Sequence, residues 1–296
     1  MRSCGQIEAK SRRLRNAGQL LISLSLLTSS GLQTSAQQLV PSPDVAESGK
    51  FSIANTVDYA PFGYLDADGK PTGIIVELAT ATASLLGAEL EIQRTPFTAL
   101  MPGLSSGRFK VAWETFSITP ERLEHVDFIV FLQGGLAVST RPDRRGDLAG
   151  EWGLCGKQIG VSAGSASDFL VDQLAAWCTS NGAPSIEKSV FNTSQDIIQA
   201  VLSGRIDARV DDATASSYFE TVSHGTLVVL PTQYDVTPQG LAIAKGDTET
   251  AQMIAKALAI LFDNGTYADI LERYGMSAHA VAQPYLVDSI DDLRNQ

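Results

Sequence analysis

Thr115-Phe116-Ser117-Ile118-Thr119-Pro120-Glu121-Arg122 follows directly on a short apolar run, residues 109–113, that reads as a buried strand. Two hydroxyls besides that of Thr119, those of Thr115 and Ser117, and one arginine therefore stand where a strand ends, a place where ligands tend to sit in α/β sheets. Local chemistry explains part of the stretch: Thr119 suits a helix cap, Pro120 the first helical position and Glu121 the positive helix end. Arg122 is left without a local role.

Working outward, the 296 residues are 44% hydrophobic and 19% charged, the composition of an ordinary globular protein of one large or two medium domains. Arg2, Lys10, Arg12, Arg13 and Arg15 precede an apolar run at 20–27, and Thr34-Ser35-Ala36 supplies small residues for cleavage. Residues 1–36 thus read as a secretory signal peptide, the run being too short to span a membrane. Arg15 and Asn16 after the arginine pair favour the general secretory route over the twin-arginine one. Loss of this segment removes five Lys or Arg and one acid, taking the formal charge from −11 to −15. A chain this acidic is not expected to bind nucleic acid or anionic membrane. Cys155 and Cys178 then remain as an even pair in an exported, oxidising compartment, which reads as a disulfide. His125, His224 and His279 are scattered, so no metal or other cofactor is expected.

Ser-Ile-Thr-Pro-Glu-Arg at 117–122, followed by His-Val-Asp-Phe at 125–128, resembles the signature of periplasmic amino-acid-binding proteins of ABC importers, the family 3 extracellular solute-binding proteins. Further motifs stand in the family's order: Tyr-Ala-Pro-Phe at 59–62, Gly-Arg-Ile-Asp-Ala at 204–208 and Asp-Asn-Gly-Thr-Tyr at 263–267. The resemblance runs from 51 to 274 and implies a type II two-lobe α/β fold, the Venus flytrap, with two chain crossings between lobes. Residues 37–50, rich in proline, serine and glycine, read as a flexible leader. The first lobe is expected over 51–139 and 242–277, the second over 140–241, and 278–296 is a C-terminal extension. The polar segment 141–147 marks the first crossing by its change of composition.

The resemblance also implies a set of ligand contacts. Arg122 would grip an α-carboxylate, a task suited to its planar, permanently charged fork, together with the amides of Gly164, Ser165 and Ala166. Without the family, that small-residue loop is a helix N-cap. Asp212 would take the α-ammonium, although Asp211-Asp212 also reads as a plain cap for the helix at 213–222. Thr115 and Ser117 would add polar contacts, and Tyr59 and Phe97 would wall the ligand side chain. Glu114 stands where many relatives carry a small residue and would favour a ligand with an extra positive or donor group. Thr56, where relatives taking basic ligands often have aspartate, argues the other way. The expected function is an exported, monomeric protein that captures an amino acid or close derivative and delivers it to a membrane permease. The alternative is a periplasmic dehydratase of the cyclohexadienyl type on the same fold, with Glu114 as its one available acid.

Overall fold

The computed structural model describes residues 39–150 and 152–294. The expected signal segment 1–36 lies outside the described residues, and among those described no helix is long and apolar enough to cross a membrane.

Nine strands form the main sheet: β1 (Lys50–Asn55), β2 (Glu89–Arg94), β3 (Val111–Ser117), β4 (Val126–Thr140), β5 (Gln158–Ser162), β6 (Glu187–Phe191), β7 (Ala208–Asp212), β8 (Val228–Ala244) and β9 (Ala280–Val287). Their order is β2-β1-β3-β8-β4-β7-β5-β6, with β9 also on β4. At one end β1 pairs in parallel with β2 and β3; at the other, β5 pairs in parallel with β6 and β7. Between them β4 and β8 run antiparallel to each other over their whole length and belong to both halves. Each half has its own packed interior. Trp113 meets Phe51 and Phe131 edge-on in the first, and Val161, Val171 and Val210 pack in the second.

The passage between halves falls inside the strands, ahead of the polar segment 141–147 that composition alone suggests. β4 pairs with β9 up to Leu132 and with β7 from Leu136. Gly134 and Gly135 occupy the step, and a Cβ on Gly135 would lie 2.7 Å from the Tyr234 carbonyl oxygen of β8, a close approach that only glycine allows. On β8 the register shifts between Tyr234 and Thr237.

Helices cover both faces. In α2 (Ile74–Leu85), Ile75, Leu78, Ala79 and Thr82 turn inward at the helical period. α8 (Thr248–Asp263) buries Met253, Ile254, Ala257, Leu258 and Leu261 in the same way. Between β5 and β6 lies α5 (Ala166–Ser180), capped by Ser165, whose hydroxyl accepts from the Asp168 amide. Cys155 and Cys178 form the expected disulfide, the latter on α5.

Three expectations need correction. The leader at 37–50 contains a helix, Pro43–Ser48, whose Val45 is buried; Pro43 opens it and Gly49, at φ 68°, stops it. Proline and glycine mark helix ends as readily as loops, so composition misled there. In the expected extension at 278–296, β9 lies along β4 and Val287 is fully buried, so that stretch is part of the body. The helix Ser194–Leu202 is capped by Thr193 and not by Ser194.

Candidate functional site

The carboxyl ends of β1 and β3 in one half face those of β5 and β7 in the other, and the cleft between them collects the polar residues. Tyr59, Phe97, Glu114, Thr115, Ser117, Arg122, Ser165, Ala166 and Asp212 all line it. Of the residues singled out from sequence, Gly164 alone does not; it lines an adjoining outer groove with Met101 and Phe169.

Thr119 caps the short helix Pro120–Leu123 by accepting from the Arg122 amide, as the sequence suggests. That turn swings the Arg122 side chain back over β3. Its guanidinium donates to the Ser117 carbonyl at 2.8 Å and, across the cleft, to the Gly164 carbonyl at 3.1 Å. It also lies 5.6 Å over the Phe116 ring. Burial pulls its pKa down, opposed by the nearby charges of Asp212 and Glu121. Phe97 packs on the same Phe116 at 5.4 Å.

Opposite, the start of α5 offers backbone donors, but of the three expected, Gly164, Ser165 and Ala166, the first two are already bonded locally. The Gly164 amide donates to Asp168 Oδ2 at 3.0 Å and the Ser165 amide to the Ser162 carbonyl at 3.2 Å. The first-turn amides of Ala166 and Ser167, which a helix leaves without internal partners, are the ones placed for an anion. Ser167 lines the cleft and was missed; its position one residue further into the helix is the signal that could have found it.

Asp212 stands at the N-cap position of the helix Ala213–Val222 yet makes no side-chain cap. Its carboxylate instead accepts from Tyr59 Oη at 2.9 Å, Thr115 Oγ1 at 3.1 Å and Gln239 Nε2 at 3.0 Å. Burial, then the neighbouring Asp211, pushes its pKa up to about 7. Asp211 accepts from the same Tyr59 hydroxyl at 2.8 Å and pairs with the fully buried Arg209 at 3.0 Å. Arg209 and Asp211 are two apart on β7 and so share a face, a cue present in the sequence. Burial and these two carboxylates hold the Tyr59 phenol well above its ordinary pKa.

Among the described residues Glu114 has no basic partner in an ion pair. The parallel register Ala54↔Ala112 sets Thr56 level with it, and the Thr56 amide donates to Glu114 Oε1 at 2.7 Å. Asn55 holds the next residue along: its Oδ1 accepts from Val57 N–H at 2.8 Å and its Nδ2 donates to the Trp113 carbonyl at 2.7 Å. Val57 has φ 53°, a left-handed conformation costly for a β-branched residue and typical of backbone forced into place at a site. Burial pushes the Glu114 pKa up to about 8, with Asp58 and Asp212 adding to the effect and the hydrogen bonds from Thr56 opposing it.

Two α/β halves joined by a pair of long strands, with opposed charges lining the gap between them, define a two-lobe ligand-capture protein of the type II periplasmic-binding fold. The chain belongs to the bacterial extracellular solute-binding proteins, family 3, whose model matches residues 51–277. It is similar to the arginine-binding protein ArgT of Corynebacterium glutamicum, 27% identical over 241 residues, covering 81% of this chain and 78% of the relative. The histidine-binding periplasmic protein of Salmonella typhimurium is 24% identical over 265 residues, covering 86% and 96%. Among solved structures, the ancestral amino acid-binding protein AncCDT-1, a precursor of cyclohexadienyl dehydratase, superposes with TM-score 0.71 at 26% identity, covering 78% of this chain and 97% of that one. An ancestral arginine-binding protein bound to arginine gives 0.68 at 29% identity, covering 76% and 98%.

Proposed function

We propose that this protein captures an amino acid or a close derivative in the cleft and delivers it to the permease of an ABC importer, acting outside the cytoplasmic membrane and as a binding protein rather than an enzyme. The observation that carries the reading is a fixed cation, Arg122, and a buried anion, Asp212, held in one cleft and linked electrostatically across it. That spacing of opposite charges suits a zwitterion, each end of which regains in the cleft the charge balance it loses with water. Arg122 and the amides of Ala166 and Ser167 take the carboxylate. Asp212 takes the ammonium, with Thr115 and Gln239 holding the aspartate in place. Tyr59 and Phe97 flank the side chain. Because each half holds part of one ligand, binding favours the closed arrangement. Cleavage after Ala36 and a monomeric state belong to the same reading.

A thermal-shift screen across the common amino acids tests it: at least one raises the melting temperature of the parent, and Arg122→Ala abolishes that rise while the unliganded protein still melts cooperatively. Retained micromolar affinity in the variant overturns the assignment. Incubation with prephenate or arogenate separates the enzyme alternative, which requires turnover and not only a shift.

A further inference from the structure

Resting on the amino-acid reading above, the geometry points to a cation-binding subsite at the side-chain end of the cleft: Glu114, seated on the Thr56 amide, selects ligands whose side chain ends in an ammonium or guanidinium group. The α-groups of an amino acid use Arg122 and Asp212, and Asp211 is already neutralised by Arg209. What remains charged in the lining is Glu114 and Asp58, both acids; among the described residues Arg122 is the one basic side chain there. Glu114 is 2% exposed, and its hydrogen bonding comes from Thr56, a neutral donor. A carboxylate in that position is short of positive charge, and a cationic side chain supplies it. Tyr59 and Phe97 add aromatic faces to the same cleft, which suit a guanidinium or ammonium laid against them.

The structure also removes the objection that Thr56 raises. Thr56 lacks a carboxylate, but its backbone N–H points at one that arrives from the adjacent strand. The buried acid, Glu114, comes from β3 and so does not depend on the residue at 56, and the strained Val57 and its bond to Asn55 stand next to the amide that holds it. The titratable groups that share the cleft with Glu114 are Asp58 and Tyr59 on the loop after β1, Asp211 and Asp212 at the end of β7 and Arg122 on the turn after β3, of which Asp58 and Asp212 act on it by charge. With no ligand the carboxyl holds a proton near neutrality; a cation displaces it, whereas an uncharged side chain does not.

Calorimetric titration with two matched pairs reads this out: L-arginine against L-citrulline, and L-lysine against L-norleucine, for the parent and for Glu114→Gln. Members of a pair share their α-groups, so the titration of Asp212 cancels in their affinity ratio. In the parent, the cationic member of at least one pair binds on the order of a hundredfold tighter at about pH 8, and the ratio falls by about tenfold per pH unit as Glu114 is protonated toward about pH 6. In Glu114→Gln the ratio drops to within a few-fold and no longer varies with pH, while the variant still melts cooperatively, which shows the fold intact. Equal binding within both pairs, or a preference that survives the substitution, overturns the inference. If an uncharged amino acid binds and no cationic one does, the cation subsite falls and the amino-acid reading stands; if no amino acid binds at all, both fall.

Discussion

Replacing Asp212 with asparagine is expected to stabilise the empty protein while weakening capture. Asp212 is 8% exposed, and its carboxyl titrates near 7 in the folded chain against 3.8 for the free group. Across that window the folded protein keeps a proton that the unfolded chain has released, so stability declines as pH rises and stays reduced above it. A gap of about 3 pK units corresponds to about 4 kcal/mol of penalty as a ceiling. Asparagine carries no such penalty but offers one oxygen to the three donors, Tyr59, Thr115 and Gln239, and returns about 1–3 kcal/mol through imperfect pairing. The net expectation is a melting temperature a few degrees above the parent at about pH 8, shrinking to nothing or reversing at about pH 5, where the folded group is protonated and the penalty left, about 1.2 pK units or about 1.6 kcal/mol, no longer exceeds the pairing loss. Differential scanning calorimetry at the two pH values gives the comparison, and titration with any ligand found for the parent should show affinity lowered by about ten- to a hundredfold. A variant that melts lower than the parent by the same margin at both pH values refutes the buried-carboxylate reasoning. One that binds as tightly as the parent refutes the ammonium assignment.

Two further outcomes follow from the same geometry. Reducing the Cys155–Cys178 bridge, which closes a loop with sequence separation 23, should lower the unfolding free energy by about 3 kcal/mol, seen as an earlier guanidinium midpoint with and without reductant. Asn55→Ala leaves the Val57 amide and the Trp113 carbonyl without their buried partner, so it should cost about 2–4 kcal/mol in urea unfolding and weaken ligand binding as the Thr56 amide drifts from Glu114.

Arg122 and Asp212 came to notice through the family resemblance; the local sequence showed only the turns that carry them, a Thr-Pro cap before one and a strand-to-helix junction after the other, and the fold brings both into one cleft. What the sequence hid depends on contacts between distant segments. That Thr56 stands level with Glu114 requires the register of β1 on β3, and that Gly164 spends its amide on Asp168 depends on how one side chain turns. Gln239 reads as strand, and only the pairing of β8 between β3 and β4 brings its amide to Asp212. β9 was illegible for a different reason. Its residues are half-buried along an edge, a pattern with weak alternation, and the strand has meaning only beside β4.

The paired run of β4 and β8 has a mechanical consequence. Any gaping of the two halves must be absorbed where the pairing partners change, around Gly134–Gly135 on one strand and the register shift between Tyr234 and Thr237 on the other. Under the capture reading, bending at these residues would set the fraction of molecules shut at rest, and apparent affinity scales with that fraction. How long a captured solute is retained is therefore decided partly by a glycine lodged beneath a tyrosine carbonyl, away from the charged residues proposed to hold the ligand.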